Sequence, residues 1–208
     1  MSPEEIHAKL QAKFGDAILE FNGEALDPYV KVKPEKIREV AEFLKNEPDL
    51  GFTSLMCLSG MDYGAEADLG VVYNLASMKH GHKITLRVDL PRDKPSLPSV
   101  ESVWRTADWH EREAYDLFGI TFEEHPDLRR ILCPDDWEGY PLRKDYVVQE
   151  YYHGIRVPYQ EDWEKYETFQ RNPERGHFVF QFEKKVPHLI SSDGNSKPGD
   201  KEKDASNA

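Results

Sequence analysis

The stretch KITLRVDL, residues 83–90, alternates without interruption. Ile84, Leu86, Val88 and Leu90 are apolar, and Lys83, Thr85, Arg87 and Asp89 between them are polar. A period of two marks a strand with one face in a core and the other toward water. That commits this part of the chain to a sheet, and the neighbouring segments must supply the other strands. GVVYNLAS (70–77) is rich in β-forming residues, and the short turn MKHGHK joins it to 83–90, so these two should pair antiparallel. FTSLMCLSGMDY (52–63) is mostly apolar on both faces, which predicts a central strand. AILEF (17–21) and PYVKV (28–32), separated by the turn-forming NGEALD, predict a hairpin.

Helical signals surround these strands. Ser2 and Glu5 have capping-box spacing, Pro3 suits the first helical position, and Ile6, Leu10 and Phe14 make one apolar stripe, so residues 2–14 should be a helix. In PEKIREVAEFLKNEP, Ile37, Val40, Ala41 and Leu44 fall at i, i+3, i+4 and i+7, and Pro48 ends the run. Residues 99–118 read as helix with a break near Thr106–Ala107. Asp108 is expected to cap its second part, with Glu111 three residues on, and Gly119 fits the left-handed position that ends it. The result is an α+β domain over residues 1–120: a small, largely antiparallel sheet with helices on one face.

After residue 120 the pattern changes. Prolines 126, 134, 141, 158, 173 and 187 recur, and aromatics stay frequent without a clear period. Residues 121–148 form a motif-rich loop region. Residues 149–190 are expected to be an extended arm, because their apolar side chains need another protein's surface. SSDGNSKPGDKEKDASNA (191–208) is a polar, low-complexity tail expected to be disordered.

The net charge of −12, with no basic stripe, excludes a nucleic-acid binder that grips phosphates. No apolar run approaches the roughly 20 residues a membrane helix needs, and MSPEEIHAKLQAKFG does not read as a secretory signal. Cys57 and Cys133 are too few for an iron–sulfur cluster, and there is no CxxC for zinc. A disulfide between them is one reading, and two small, reduced core residues are the simpler one.

The chemistry-bearing residues concentrate in EREAYDLFGITFEEHPDLRRIL (111–132) and YPLRKDY (140–146). HEREA (110–114) begins like a zinc-protease helix, but Ala114 stands where the second histidine belongs. His80 and His82 flank a glycine in a turn and are expected to be solvated. Glu113 and Asp116, at i and i+3, share a helix face, whereas Glu111 points elsewhere. As an acid–base pair they would suit a free-standing carboxylate hydrolase. As a charged face they would pair with Arg112, Arg129, Arg130 or Arg143, which is the commoner arrangement. No nucleotide-binding fingerprint and no GxSxG occur.

The two motifs, in this order and at this spacing, resemble the signature of the thirty-kilodalton subunit of respiratory complex I. In bacteria this is the C subunit of NADH–quinone oxidoreductase, and in chloroplasts and cyanobacteria it is the J subunit of the related complex. The resemblance covers roughly residues 20–148. Tyr140 stands where many members have histidine or phenylalanine, and VVQEYYHG replaces the family's proline–leucine–glycine run. The resemblance implies a chain with no catalytic site and no cofactor of its own, flavin and iron–sulfur clusters lying in its partners. It implies docking on the D subunit, which bears the quinone site, and on other members of the peripheral arm. It also implies a place on the cytoplasmic side of the bacterial inner membrane, reached only through those partners. A packing or interface role is implied for Glu111, Arg112, Glu113, Tyr115, Asp116, Phe118, Gly119, His125, Pro126, Arg129, Arg130, Pro141, Arg143, Lys144 and Asp145. The family shades into ferredoxin-driven complexes and membrane-bound hydrogenases, so the equivalent component of one of those is the alternative.

Overall fold

Five strands make the sheet to which residues 83–90 belong. The computed structural model describes residues 1–157 and the strand segments 167–171 and 178–182. The chain divides into two units, residues 1–148 and 149–208.

In the first unit, helix α1 (Pro3–Phe14) is followed by the hairpin β1 (Ile18–Asn22) and β2 (Tyr29–Val32), then helix α2 (Ile37–Asn46). A three-strand meander comes next: β3 (Ser54–Asp62), β4 (Leu69–Ala76) and β5 (Lys83–Leu90). The strand order is β1-β2-β5-β4-β3. All pairings are antiparallel except β2 with β5, which is parallel and sets Tyr29 beside Thr85 and Val30 beside Leu86. Two short strands, β6 (Ser96–Pro98) and β7 (Thr121–Glu123), pair parallel on either side of helix α3 (Ala107–Phe118).

The core lies on one face of the sheet. Leu86, Tyr73 and Leu58 form one row across three strands, and Val88, Val71 and Gly60 form the next. Ile6 and Leu10 of α1 and Ile37, Val40, Ala41 and Leu44 of α2 are fully buried in the same cluster. Burying each Leu, Ile or Val of this set contributes about 1.5–3 kcal/mol over leaving it exposed. Gly60 lets α3 come close: a Cβ there would stand 2.6 Å from the Phe118 ring. The opposite face is half-buried and polar, with Lys31 paired to Asp89 at 2.6 Å, Arg87 to Asp89 at 3.0 Å, and the Thr85 hydroxyl donating to Asn74 at 2.9 Å.

Local signals are realised as expected. Ser2 and Glu5 form a complete capping box, and Gly119 ends α3 with φ 70° and ψ 30°. Three expectations are corrected. The strand at 52–63 is an edge strand, not a central one: Leu55 and Leu58 lie on its one buried face, and Met56 and Met61, apolar yet exposed, make the sequence look buried on both. The helix expected over 99–118 exists only from Ala107; residues 99–106 are turns, held by the Trp104 indole donating to the Phe52 carbonyl at 2.9 Å. Asp108 lies inside the first turn of α3 and does not cap it, because Thr106 takes the cap position without a side-chain bond.

In the second unit, β8 (Tyr151–Tyr152) and β9 (Ile155–Arg156) form a small hairpin, and β10 (Glu167–Arg171) pairs antiparallel with β11 (Phe178–Phe182). The tail expected over 191–208 lies outside the described residues, as does most of the arm expected up to 190.

Candidate functional site

Asp116 is fully buried on α3, and its carboxylate is the centre of the site. Its Oδ2 accepts the backbone N–H groups of Ile131, Leu132 and Cys133 at 3.0, 2.6 and 2.9 Å, and its Oδ1 faces the Arg130 guanidinium at 3.2 Å. Burial alone would raise its pKa, but the three amides and Arg130 outweigh burial and hold the carboxyl below its ordinary value. One side chain on the helix thus fixes the path of the loop that follows.

Asp62, at the end of β3, makes a second anchor of the same kind. Its side chain is 1% exposed. It accepts from the backbone of Lys144 at 2.7 Å and of Gly64 at 2.9 Å, and it pairs with Arg92. Arg92 also reaches Asp145 at 2.9 Å. Burial raises the Asp62 pKa, and these donors together bring it below the usual carboxylate value.

Between the anchors sits Tyr140. Gly119 gives it room, since a Cβ at that position would lie 2.4 Å from the ring. The guanidinium carbons of Arg143 and Arg130 stand 4.8 and 5.6 Å from its centroid. Arg143 Nε donates to the Phe118 carbonyl at 2.6 Å, satisfying an otherwise open helix end, and Arg130 donates to the Gly139 carbonyl at 3.0 Å. A histidine or phenylalanine here could also offer a flat ring to the two arginines.

Glu111 faces the domain interior. It is fully buried, accepts from the Ser99 hydroxyl at 2.6 Å and the Val100 N–H at 2.8 Å, and among the described residues the nearest basic group is the His125 ring at 3.9 Å. Burial pushes its pKa up to about 7, against the partial relief of those two bonds. The buried phenol of Tyr73 is itself pushed well up, by burial first and by Glu111 second. The His125 ring is completely enclosed: Nδ1 accepts the Asp127 N–H at 3.1 Å, so Nε2 carries the proton and points at the Asp108 carbonyl at 3.3 Å. His125 therefore ties the HPD turn to the first turn of α3.

The remaining motif residues divide between packing and surface. Arg112 is buried, stacked 4.9 Å from the Trp109 ring, with Nε 3.4 Å from the Arg129 carbonyl. Phe118 packs on the core, Tyr115 and Pro141 are half-buried, and Pro126 is exposed. Arg129 pairs with Asp127 at 2.9 Å and not with an acid of α3. Glu113 is exposed and has no hydrogen bond or ion pair among the described residues. The expected Glu113–Asp116 face is therefore not formed. On α3 the buried carboxylates are Glu111 and Asp116, because the helix is covered by the domain on one flank and by residues 130–133 on another. A Glu113–Asp116 acid–base pair has no geometric basis, since Asp116 is enclosed by its own donors. His82, expected to be solvated, is buried with Nε2 2.7 Å from the Leu50 carbonyl. Sequence reasoning missed Asp62, Arg92 and Ser99, whose side-chain partners are distant along the chain, and Tyr73, whose buried hydroxyl has no hydrogen-bond partner among the described residues.

Comparison with known proteins adds a second line. The family model described as the 30 Kd subunit of respiratory-chain NADH dehydrogenase matches residues 30–152. The C subunits of NADH-quinone oxidoreductase from Chloroherpeton thalassium and Chlorobium phaeobacteroides are each 53% identical over 152 residues, or 72% of this chain. The matched part spans 63% of the first relative's length and 92% of the second's. A solved trypsin-resistant fragment (1-134) of Nqo5 is 33% identical, with a TM-score of 0.50 over 62% of this chain and 100% of that one. A chain in the structure of the membrane-bound sulfane sulfur reductase, an archaeal respiratory membrane complex, is 26% identical, with a TM-score of 0.58 over 69% of this chain and 85% of that one.

Proposed function

The chain belongs to the family of the 30-kDa subunit of respiratory-chain NADH dehydrogenase, and from that premise we propose that it is a non-catalytic, assembly-supporting component of the peripheral arm of a proton-pumping NADH–quinone oxidoreductase. In this reading it docks on the D subunit, which bears the quinone site, on the cytoplasmic side of the bacterial inner membrane. It carries no cofactor of its own, and flavin and iron–sulfur clusters reside in its partners. No helix among the described residues is long and apolar enough to cross a membrane, which fits attachment through partner subunits.

The observation that carries the reading is the use made of Asp116. This fully buried acid of the signature holds three amides and an arginine of its own chain. A carboxylate so occupied shapes a surface and is a poor proton acceptor. The second reading, an equivalent component of a ferredoxin-driven complex or membrane-bound hydrogenase, draws on the likeness to the archaeal respiratory complex. The greater identity of the NADH-quinone oxidoreductase relatives favours the first.

The test is Asp116→Asn in the intact complex. The amount of assembled complex should fall while NADH–quinone turnover per assembled complex is retained. Full assembly with lost turnover overturns the non-catalytic reading, and co-purification with partners that reduce no quinone from NADH favours the alternative.

A further inference from the structure

Among the described residues the outer edge of β3 is open. β3 pairs with β4 on one side, and among the described residues no backbone hydrogen bond reaches the other side of Cys57–Met61. An unguarded edge is a template for another strand, so proteins usually protect edges with charge, proline, shortness or a bulge. The opposite edge of this sheet is protected in that way: β1 has five residues, carries Glu20 and is bulged between Ile18 and Glu20. β3 has nine residues, and its bulge is confined to Met56. Beyond that bulge, Cys57–Met61 has neither a charge nor a proline. Met56 and Met61 are 51% and 41% exposed on this edge strand.

Beside the open edge runs a groove of about 290 Å³ between β3 and α3. Its apolar lining comes from Leu58, Ala114, Leu117, Phe118 and Leu142, and Glu113 stands on its rim. Glu111 and Asp116 are satisfied from within the chain, but Glu113 faces solvent without a partner among the described residues. One wall thus offers unpaired backbone groups, the other offers apolar surface, and the rim offers a single uncompensated negative charge.

We propose that this edge and groove receive an extended strand of a neighbouring protein in the complex, which adds to β3, inserts alternate apolar side chains against α3 and sets a lysine or arginine opposite Glu113. A strand meets all three features at once: its backbone completes the ladder, its period of two places every second side chain in the groove, and its basic residue complements the rim. A helix laid in the groove would leave the backbone edge unpaired. The proposal rests on the reading of the chain as part of a larger complex, and it assigns the contact to a specific strand edge.

Amide hydrogen exchange of the full chain, alone and within the purified complex, tests it. In the isolated chain the amides of Cys57–Met61 that point away from β4 should exchange quickly. In the complex they should slow by about tenfold or more, as hydrogen-bonded strand amides do. Unchanged fast exchange in a complex that contains the chain overturns the strand addition and leaves the reading as a complex component standing. A chain recovered only on its own overturns both. Glu113→Lys supplies an independent check. Its recovery in the complex should drop by about tenfold, with a smaller drop for Glu113→Gln, as expected when like charges meet at an interface. The isolated Glu113→Lys chain should melt where the unaltered chain does, because Glu113 has no partner to lose. Undiminished recovery of Glu113→Lys overturns the basic-strand assignment.

Discussion

Asp116 and Arg130 face each other at 3.2 Å across the junction between α3 and the loop that follows it, with the aspartate fully buried and the arginine side chain 14% exposed. The pair is not a stand-alone salt bridge, since the same carboxylate holds three consecutive amides. Removing the acid leaves a cation and three N–H groups to find other partners. Asp116→Ala should therefore destabilise the isolated chain by about 3–5 kcal/mol, the usual cost of stranding a buried charge. Urea unfolding of both chains measures it, and a loss below about 1 kcal/mol, the scale of an exposed pair, would show that residues 130–133 hold their path without the aspartate.

Glu111 gives a pH signature of opposite sign to Asp116. Its folded pKa, about 7, lies above the unfolded value of 4.5. The folded state holds the proton more tightly, so this contribution is fully present below pH 4.5 and is lost as pH rises through 7. The difference corresponds to roughly 3 kcal/mol. Glu111→Gln cannot ionise and should remove this slope, so that its stability relative to the unaltered chain improves as pH rises from about 4.5 to about 7 and levels off above. Parallel stability–pH curves for the two chains would refute the assignment. Asp116, with a lowered pKa, contributes stability above its unfolded value and loses it as pH falls through the folded one.

Gly119→Ala carries two penalties. The backbone there is left-handed, which costs an L-residue about 1–2 kcal/mol, and the new methyl would meet the Tyr140 ring. The ring must move away from Arg130 and Arg143. The expected outcome is a lower melting temperature together with a changed near-ultraviolet tyrosine signal. A lower melting temperature with an unchanged tyrosine signal would mean that the ring stayed in place.

Arg92→Ala should loosen the second anchor with less effect on the core. It removes the cation shared by Asp62 and Asp145 but leaves the Lys144 and Gly64 amides on Asp62. Limited trypsin digestion should cut after Arg143 or Lys144 sooner than in the unaltered chain, because local opening there governs access. Equal cleavage rates would show that the backbone bonds alone hold the segment.

The main-sheet strands and two of the three expected caps were legible in the sequence because their causes are local. The alternation of residues 83–90, the Ser2–Glu5 box and Gly119 at the end of α3 each need only a few neighbouring residues. The anchors were not legible, because their causes are distant. Asp62 meets Arg92 thirty positions on and Lys144 eighty-two positions on, and the acid in GMDYG carries no local mark of either. The choice between Glu111 and Glu113 as the buried acid also escaped, since helix periodicity cannot say that two different flanks of α3 are covered. The edge position of β3 was hidden because Met56 and Met61 are apolar yet exposed, so the strand reads as buried on both faces.

The parallel seam between β2 and β5 also governs the order in which the chain can fold. The β1–β2 hairpin and the β3–β4–β5 meander each close over short loops, but Tyr29 cannot lie beside Thr85 until everything between them has been made. Closing a long loop costs entropy before its contacts reward it, so this seam is the natural late event. During synthesis, α1 and the first hairpin must wait with their apolar faces unmatched until Lys83–Leu90 has left the ribosome. A chain stalled before that strand has no sheet to join, and its N-terminal third is then a substrate for chaperones or proteases.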